Sequence, residues 1–471
     1  MTSGAADVEW VGLRTPERPP NHPPRTIDRT IDQTTDKCHH VTPACTQRNE
    51  QRGYREEVST ATASEPTSNS RFRDWWTRDR TRDRQRRAAT VSLTVAAIVI
   101  GGWCAWLLHA DVDQALGQRA FLYAFLFAFL PVIPLVTLLV WCGRLRPPPA
   151  RFICLALGWG ALVATLISLR LNGWLAIQIG DQYGATPRSA VFIAPWVEET
   201  AKGAALFALV WWNRATFSSV ITGVVYGGLI GVGFAFTENV VYYGQIFQFI
   251  QTTSADGAAA LDAVQELFKW RGVAAPFVHP MFTMMTGLGL GIAVRHRHVG
   301  VRVLAPVAGF LTAVLLHMSY NTMASFASGA ALLGLYLGLL LPTLAGLTWV
   351  VFAVCRRERR TLTARLRDYT AYGWLKPDSV DHVTSVRGRR AARRFVRRLG
   401  RAECDRLRAF QRVGREVAVV RDRLVRGVAG KRDLQREAQL IAELRDLSRR
   451  VVLPGQDALP AADEAPARSS W

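Results

Sequence analysis

Residues 190–213 read AVFIAPWVEETAKGAALFALVWWN. A helix needs about 20 residues to cross a bilayer core, and this stretch has them. It is apolar except for a short interruption around Glu198, Glu199 and Lys202. Outward from it, seven further runs of similar length and apolarity occupy 89–109, 121–142, 152–173, 218–243, 274–294, 303–325 and 330–355. Buried helices of a soluble protein do not come in this number and length. The expected fold is therefore all-α: a polytopic membrane helical bundle of about eight transmembrane helices over residues 89–355.

The charge follows the same division. The 471-residue chain carries 58 Lys and Arg against 37 Asp and Glu, of which residues 89–355 hold only 13 and 9. Residues 1–88 form an Arg-rich end. Their first 70 positions, rich in Thr, Pro and Ser without apolar periodicity, are expected to be disordered. The first apolar run starts too far in for a cleaved leader, so no signal peptide is expected. Residues 356–471 are strongly basic, with Phe395, Leu399, Leu407 and Phe410 at helical spacing. One or two cytoplasmic helices with a disordered end are expected there. No aromatic platform accompanies the arginines, so anionic lipid at the basic cytoplasmic faces is the expected contact and nucleic acid is not. The seven cysteines include no CxxC pair and imply neither a zinc ribbon nor a disulfide framework. Cys38-His39-His40 falls in the tail and is not taken as a metal site.

Orientation follows from the short loops. Arginines cluster before the first run, at Arg144, Arg146 and Arg151, at Arg214, at Arg295, Arg297 and Arg302, and after residue 355. The alternate loops hold only Arg119, Arg170, Arg188, Lys269 and Arg271. Eight spans with both termini cytoplasmic satisfy this pattern. Gly223, Gly227 and Gly231 repeat every fourth residue, a face for close helix packing. In the outer loop 244–273, Leu261, Val264, Leu267 and Phe268 make a helical stripe expected to anchor in the membrane interface, with a gate as the alternative.

Ionisable groups inside spans are costly, and their default reading is functional. The clearest are Glu198, Glu199, Lys202, Glu238, His279 and His317, with Asn239 and Asn321 beside two of them. At about 1.5 Å per residue, the acids and imidazoles lie roughly 8–14 Å below the outer ends of four different spans. Such a layer implies one convergent cavity. A desolvated carboxylate is a competent general base for water, and a nearby imidazole or amide can stabilise an oxyanion. Two histidines and a glutamate can alternatively hold zinc. Ser319 lies on a different helix face from His317, which gives Ser/His chemistry little support.

These residues resemble a known family. Pro195-Trp196-Val197-Glu198-Glu199-Thr200-Ala201-Lys202 is similar to the EExxK motif of the PrsW intramembrane proteases. Phe234-Ala235-Phe236-Thr237-Glu238-Asn239 is similar to their FxxxEN motif. Phe277-Val278-His279-Pro280 and Leu316-His317-Met318-Ser319-Tyr320-Asn321 resemble their two histidine-bearing helices. The likeness covers about residues 120–355 and extends to the wider group of CAAX-prenyl proteases and bacteriocin-processing enzymes. It implies an integral protein of a bacterial cell membrane that cleaves a membrane protein near the outer leaflet, with a single-span anti-sigma factor as the implied substrate. It also implies catalytic roles for Glu198, Glu199, Glu238, His279 and His317. Lys202, Asn239 and Asn321 would be supporting residues, Lys202 orienting the glutamates. A glutamate-activated water is the favoured mechanism and no metal is assigned; the metal alternative is zinc on His279, His317 and Glu238. Two other classes fit the composition: a transporter or channel using these groups as a proton or ion relay, and a non-catalytic scaffold of the same fold.

Overall fold

The computed structural model describes residues 92, 95–110, 117–179, 188–212, 217, 219–254, 257–326 and 329–455. The tail 1–88 and the end of the chain beyond 455, both with expected disorder, lie outside those residues. All regular structure among the described residues is helical. In the apolar part the helices are α1 (Val95–Ala110), α2 (Gly117–Leu145), α3 (Ala150–Gln178), α4 (Ala194–Trp212), α5 (Val220–Ser254), α6 (Gly257–Phe268), α7 (Val278–Ala293), α8 (Val299–Phe326) and α9 (Gly329–Ala371). Six helical stretches are long and apolar enough to cross a membrane: α2, α3, α5, the α6–α7 stretch Gly257–Ala293, α8 and α9. Of the other two expected spans, α1 is shorter, and α4 carries the charged cluster Glu198, Glu199 and Lys202. Large apolar side chains such as Trp211, Trp349, Val299 and Leu304 point outward. A bilayer, unlike water, favours that surface.

The central helix is α5, which is buried along most of its length. Its glycines make this possible. A Cβ at Gly223 would run into the backbone of Gly287, at Gly227 into that of Thr283, and at Gly231 into those of His279 and Pro280. The expected glycine face is thus a backbone-to-backbone seam with α7. A second seam joins α5 to α3 through Gly233 against Leu157 and Gly160 against Ile230.

Two expectations change. The span drawn as 218–243 is a helix that continues to Ser254, so Glu238 sits mid-helix and its depth cannot be counted from residue 243. Gln245, Gln248 and Gln251 lower the hydropathy there, while Gly244 and Phe247 remain buried. The loop stripe is packed rather than anchored. Val264 is fully buried, and Leu267 and Phe268 pack beside it, against Ala120, Ala124 and Ala128 of α2 and Tyr243 and Phe247 of α5. Small residues on α2 leave room for α6 to fold back onto α5.

Helix α9 runs without a break through residue 356 into a second, helical core. That core is completed by α10 (Ser379–Thr384), α11 (Val386–Arg397), α12 (Arg401–Val425) and α13 (Lys431–Arg450), more helices than expected. Leu362, Leu366, Tyr369, Val396, Leu407, Phe410, Val417 and Leu444 fill it. Phe395 and Leu399, expected on the same stripe, are exposed. α11 turns Gly388, Ala392 and Val396 inward at four-residue spacing, and Phe395 falls one residue off that face. This region docks on the arginine-rich loops. Arg146 Nε lies 2.6 Å from Glu358 Oε1, Arg389 donates to the Arg144 carbonyl at 3.0 Å, and Arg426 donates to the Arg295 carbonyl at 2.8 Å. The loops after α2 and α7 therefore share one face with the exit of α9, as the arginine alternation requires.

Candidate active site

Helix α4 begins from a π-helical turn, Ser189–Ile193, which Asn321 of α8 holds by donating to the Ala190 carbonyl at 2.8 Å. Trp159 of α3 pins its middle by donating to the Ala201 carbonyl at 2.9 Å. The three- and four-residue spacings then put Lys202 beside both glutamates: Nζ is 2.9 Å from Glu199 Oε1 and 3.2 Å from Glu198 Oε2. Lys202 is wholly buried. Its ammonium also lies 3.1 Å from His279 Nδ1 and 3.6 Å from the centre of the Phe234 ring. The lysine, which the motif alone marks as an orienting group for the glutamates, is the hub of the cluster.

The remaining groups come from α5, α7 and α8. His279 lies in the first turn of α7, where Pro280 is tolerated because that turn's N–H groups have no helical partner. Its Nε2 is 2.6 Å from Glu238 Oε2. Glu199 accepts from Thr283 Oγ1 through Oε2 at 3.2 Å, and its Oε1 is 3.2 Å from His317 Nδ1. The His317 ring stacks on Phe282 with centroids 4.8 Å apart, and its Nε2 is 3.7 Å from Glu198 Oε2.

Carboxylates only accept, so the partners fix the tautomers. His279 donates from Nε2 to Glu238, and its Nδ1 accepts from Lys202. His317 donates from Nδ1 to Glu199, and its Nε2 is left facing Glu198. Each imidazole thus has one nitrogen oriented by a carboxylate and the other turned inward, the arrangement metal-binding histidines use. One ligand atom each from Glu198, His279 and His317 lie within 4.8 Å of one another, and all three residues are buried. The donor set fits a divalent ion with three protein ligands. It differs by one member from the set expected from sequence: Glu198 faces the two histidines, while Glu238 stands behind His279.

The comparisons with known proteins agree with this geometry. Residues 148–349 match the profile of a family described as PrsW family intramembrane metalloprotease. Over that stretch the chain is similar to the PrsW family. No curated protein and no solved structure matches the chain. The PrsW match starts close to α3 and ends within α9, so it includes every residue singled out above and excludes α10 to α13.

The five acids and imidazoles expected at the site, Glu198, Glu199, Glu238, His279 and His317, converge, although they come from four helices. Of the supporting residues, Lys202 is central. Asn239 is second in line, and Asn321 holds the α4 entry rather than facing the imidazoles. One residue escaped the sequence: Arg271, counted there as a loop arginine. Its Nη2 is 2.5 Å from Glu238 Oε2, its Nε donates to Asn239 Oδ1 at 2.8 Å, and its guanidinium lies 4.1 Å above the Tyr242 ring. It sits in the π-helical turn Lys269–Ala274. The side chains of Glu238 and Arg271 are each 17% exposed, whereas those of Glu199 and Lys202 are sealed. The cluster is therefore less enclosed on the Arg271 side than around Glu199 and Lys202.

Proposed function

We propose that the PrsW-like domain is an intramembrane endopeptidase. It hydrolyses a peptide bond of a membrane protein, reached from the Arg271 side of the bundle, which the loop charges make the outer side. A single-span protein of the anti-sigma type is the substrate class. The observation that carries this reading is the convergence of Glu198, Glu199, His279 and His317 inside an apolar bundle, with one imidazole nitrogen of each ring turned toward Glu198 or Lys202.

Glu198 is assigned as general base. Both oxygens of Glu199 already accept hydrogen bonds, and Glu238 Oε2 faces both His279 and Arg271. Glu198 would take a proton from water as the water oxygen adds to the carbonyl carbon. It would return that proton to the amide nitrogen as the C–N bond breaks. The positive charge of the Lys202 ammonium is within reach to stabilise the oxyanion. A second reading is favoured by the spacing of Glu198, His279 and His317, which would hold a divalent ion such as zinc. Such an ion, when bound, polarises a carbonyl and acidifies water. In either reading Glu238 and Glu199 keep the two rings in their tautomers.

The test is purified protein in lipid with a single-span reporter. Glu198→Gln and Glu199→Gln should each slow cleavage by at least about a hundredfold, the scale of general-base and oxyanion contributions. Cleavage that persists in the double variant would sink the proposal. Loss of activity on chelation, restored by stoichiometric zinc, selects the second reading; an unchanged rate in chelator selects the first.

A further inference from the structure

Between the membrane bundle and the C-terminal helices lies a cavity of about 310 Å³. The bundle contributes Phe217, His296, Arg297 and Arg302. The end of α12 and the turn after it contribute Arg423 and Arg426. No acidic residue lines it. Arg426 spends its charge on Asp422, with Nε 2.9 Å from Oδ2, and Arg423 on Asp433 at 3.0 Å. Arg297 and Arg302 have no acidic partner among the described residues. The guanidinium of Arg297 lies over Gly427, whose φ of 65° keeps the turn free of a side chain beneath it. Val299, Val303 and Leu304, on the same turns of α8 as Arg302, are exposed apolar residues. The cavity thus opens where the lipid-facing surface begins.

We propose that this cavity is a binding site for a phosphate-bearing anion that bridges the PrsW-like domain and the C-terminal helices. Guanidinium forks match phosphate oxygens in pairs, and the two unpaired arginines supply the charge that the protein leaves uncompensated. Crowding of like charge is already felt next door: burial, and then Arg426, push the Arg295 guanidinium below its ordinary value. The phosphate can be that of an anionic lipid headgroup, with its chains along α8, or a soluble phosphate.

The experiment uses the full chain in vesicles of neutral lipid, with binding read by thermal unfolding and by titration. One arm adds a lipid with a phosphomonoester headgroup, and the other adds inorganic phosphate. The Arg297→Gln/Arg302→Gln variant is compared with Arg397→Gln/Arg398→Gln, which removes the same charge from the end of α11. Binding in the lipid arm alone names the headgroup as the source. Binding in the phosphate arm, with or without the other, names the free anion's chemistry as sufficient. In either case the cavity variant should bind at least about tenfold more weakly, the scale set by two charged partners, with the control unchanged. No binding in either arm, or equal losses in both variants, would overturn the site. None of these readouts depends on proteolysis.

Discussion

A methyl group at Gly231 would meet the His279 carbonyl oxygen and the Pro280 N and Cα, all at 2.6 Å. Non-bonded carbon atoms rest at about 3.5–4.0 Å, so Gly231→Ala forces α5 and α7 apart by roughly 1 Å. Every clashing atom is backbone of the first turn of α7, and no rotamer change can absorb it. The displaced residue is His279, whose Nε2 stands 2.6 Å from Glu238 on α5. Roughly 1 Å of separation stretches that contact past hydrogen-bond range. Overpacking of this kind costs about 1–3 kcal/mol in stability, and about 1 Å of misplacement at a reacting centre costs on the order of a hundredfold in rate. Gly203→Ala is the matched control. It follows Lys202 directly, yet its Cβ would meet only Thr286 Cγ2, at an ordinary 3.7 Å. Single-turnover cleavage of the reporter, normalised to folded protein, should fall about a hundredfold for Gly231→Ala and little for Gly203→Ala. A wild-type rate for the first, or equal damage from the second, would refute the backbone seam as what positions His279.

Arg271→Ala removes the guanidinium from Glu238 and Asn239 together. The thermal midpoint and the cleavage rate should both fall, because stranding one partner of this partly buried pair costs part of the about 3–5 kcal/mol that breaking a fully buried one does. Arg271→Lys should recover much of the stability and less of the rate, since one ammonium cannot hold both partners. Arg271→Lys behaving as wild type in both assays would remove Arg271 from the site. In the C-terminal core, burial and then Arg389 and Arg393 hold the Arg415 guanidinium down to about 10, and its Nη1 is buried without a hydrogen bond. Arg415→Met should therefore raise the thermal midpoint, more at low salt than at high; a lowered midpoint contradicts the crowding argument.

The helical membrane domain was legible because a bilayer imposes length and apolarity on each span separately. The seam at Gly223, Gly227 and Gly231 was legible for a similar reason: only a backbone approach rewards a missing side chain at that spacing. The acids and imidazoles stood out against apolar neighbours. Arg271 did not, because an arginine between two apolar runs reads as a loop charge, and a π-helical turn that aims it inward leaves no mark on hydropathy. The donor group that converges differs at one position from the set read in the sequence, for a related reason. Spacing cannot say which of Glu198 and Glu238 faces the rings and which stands behind one of them. The same limit hid the fate of 244–268. Leu261, Val264, Leu267 and Phe268 read as an interfacial stripe until the small residues of α2 are seen to pack against Val264, Leu267 and Phe268.

The contacts of Lys202 bear on how the domain is assembled. Its ion pairs with Glu198 and Glu199 lie within a single helix, at three and four residues, and need no other span. A lone acid or lysine at the middle of a span adds about 2.5–3.5 kcal/mol to the work of membrane insertion. Here the three charges can meet as soon as α4 has coiled, leaving a net charge of one. Glu238, His279 and His317 are added as later helices arrive. The segment that carries the paired glutamates is thus internally compensated as soon as it is helical, before a cavity exists to shelter it.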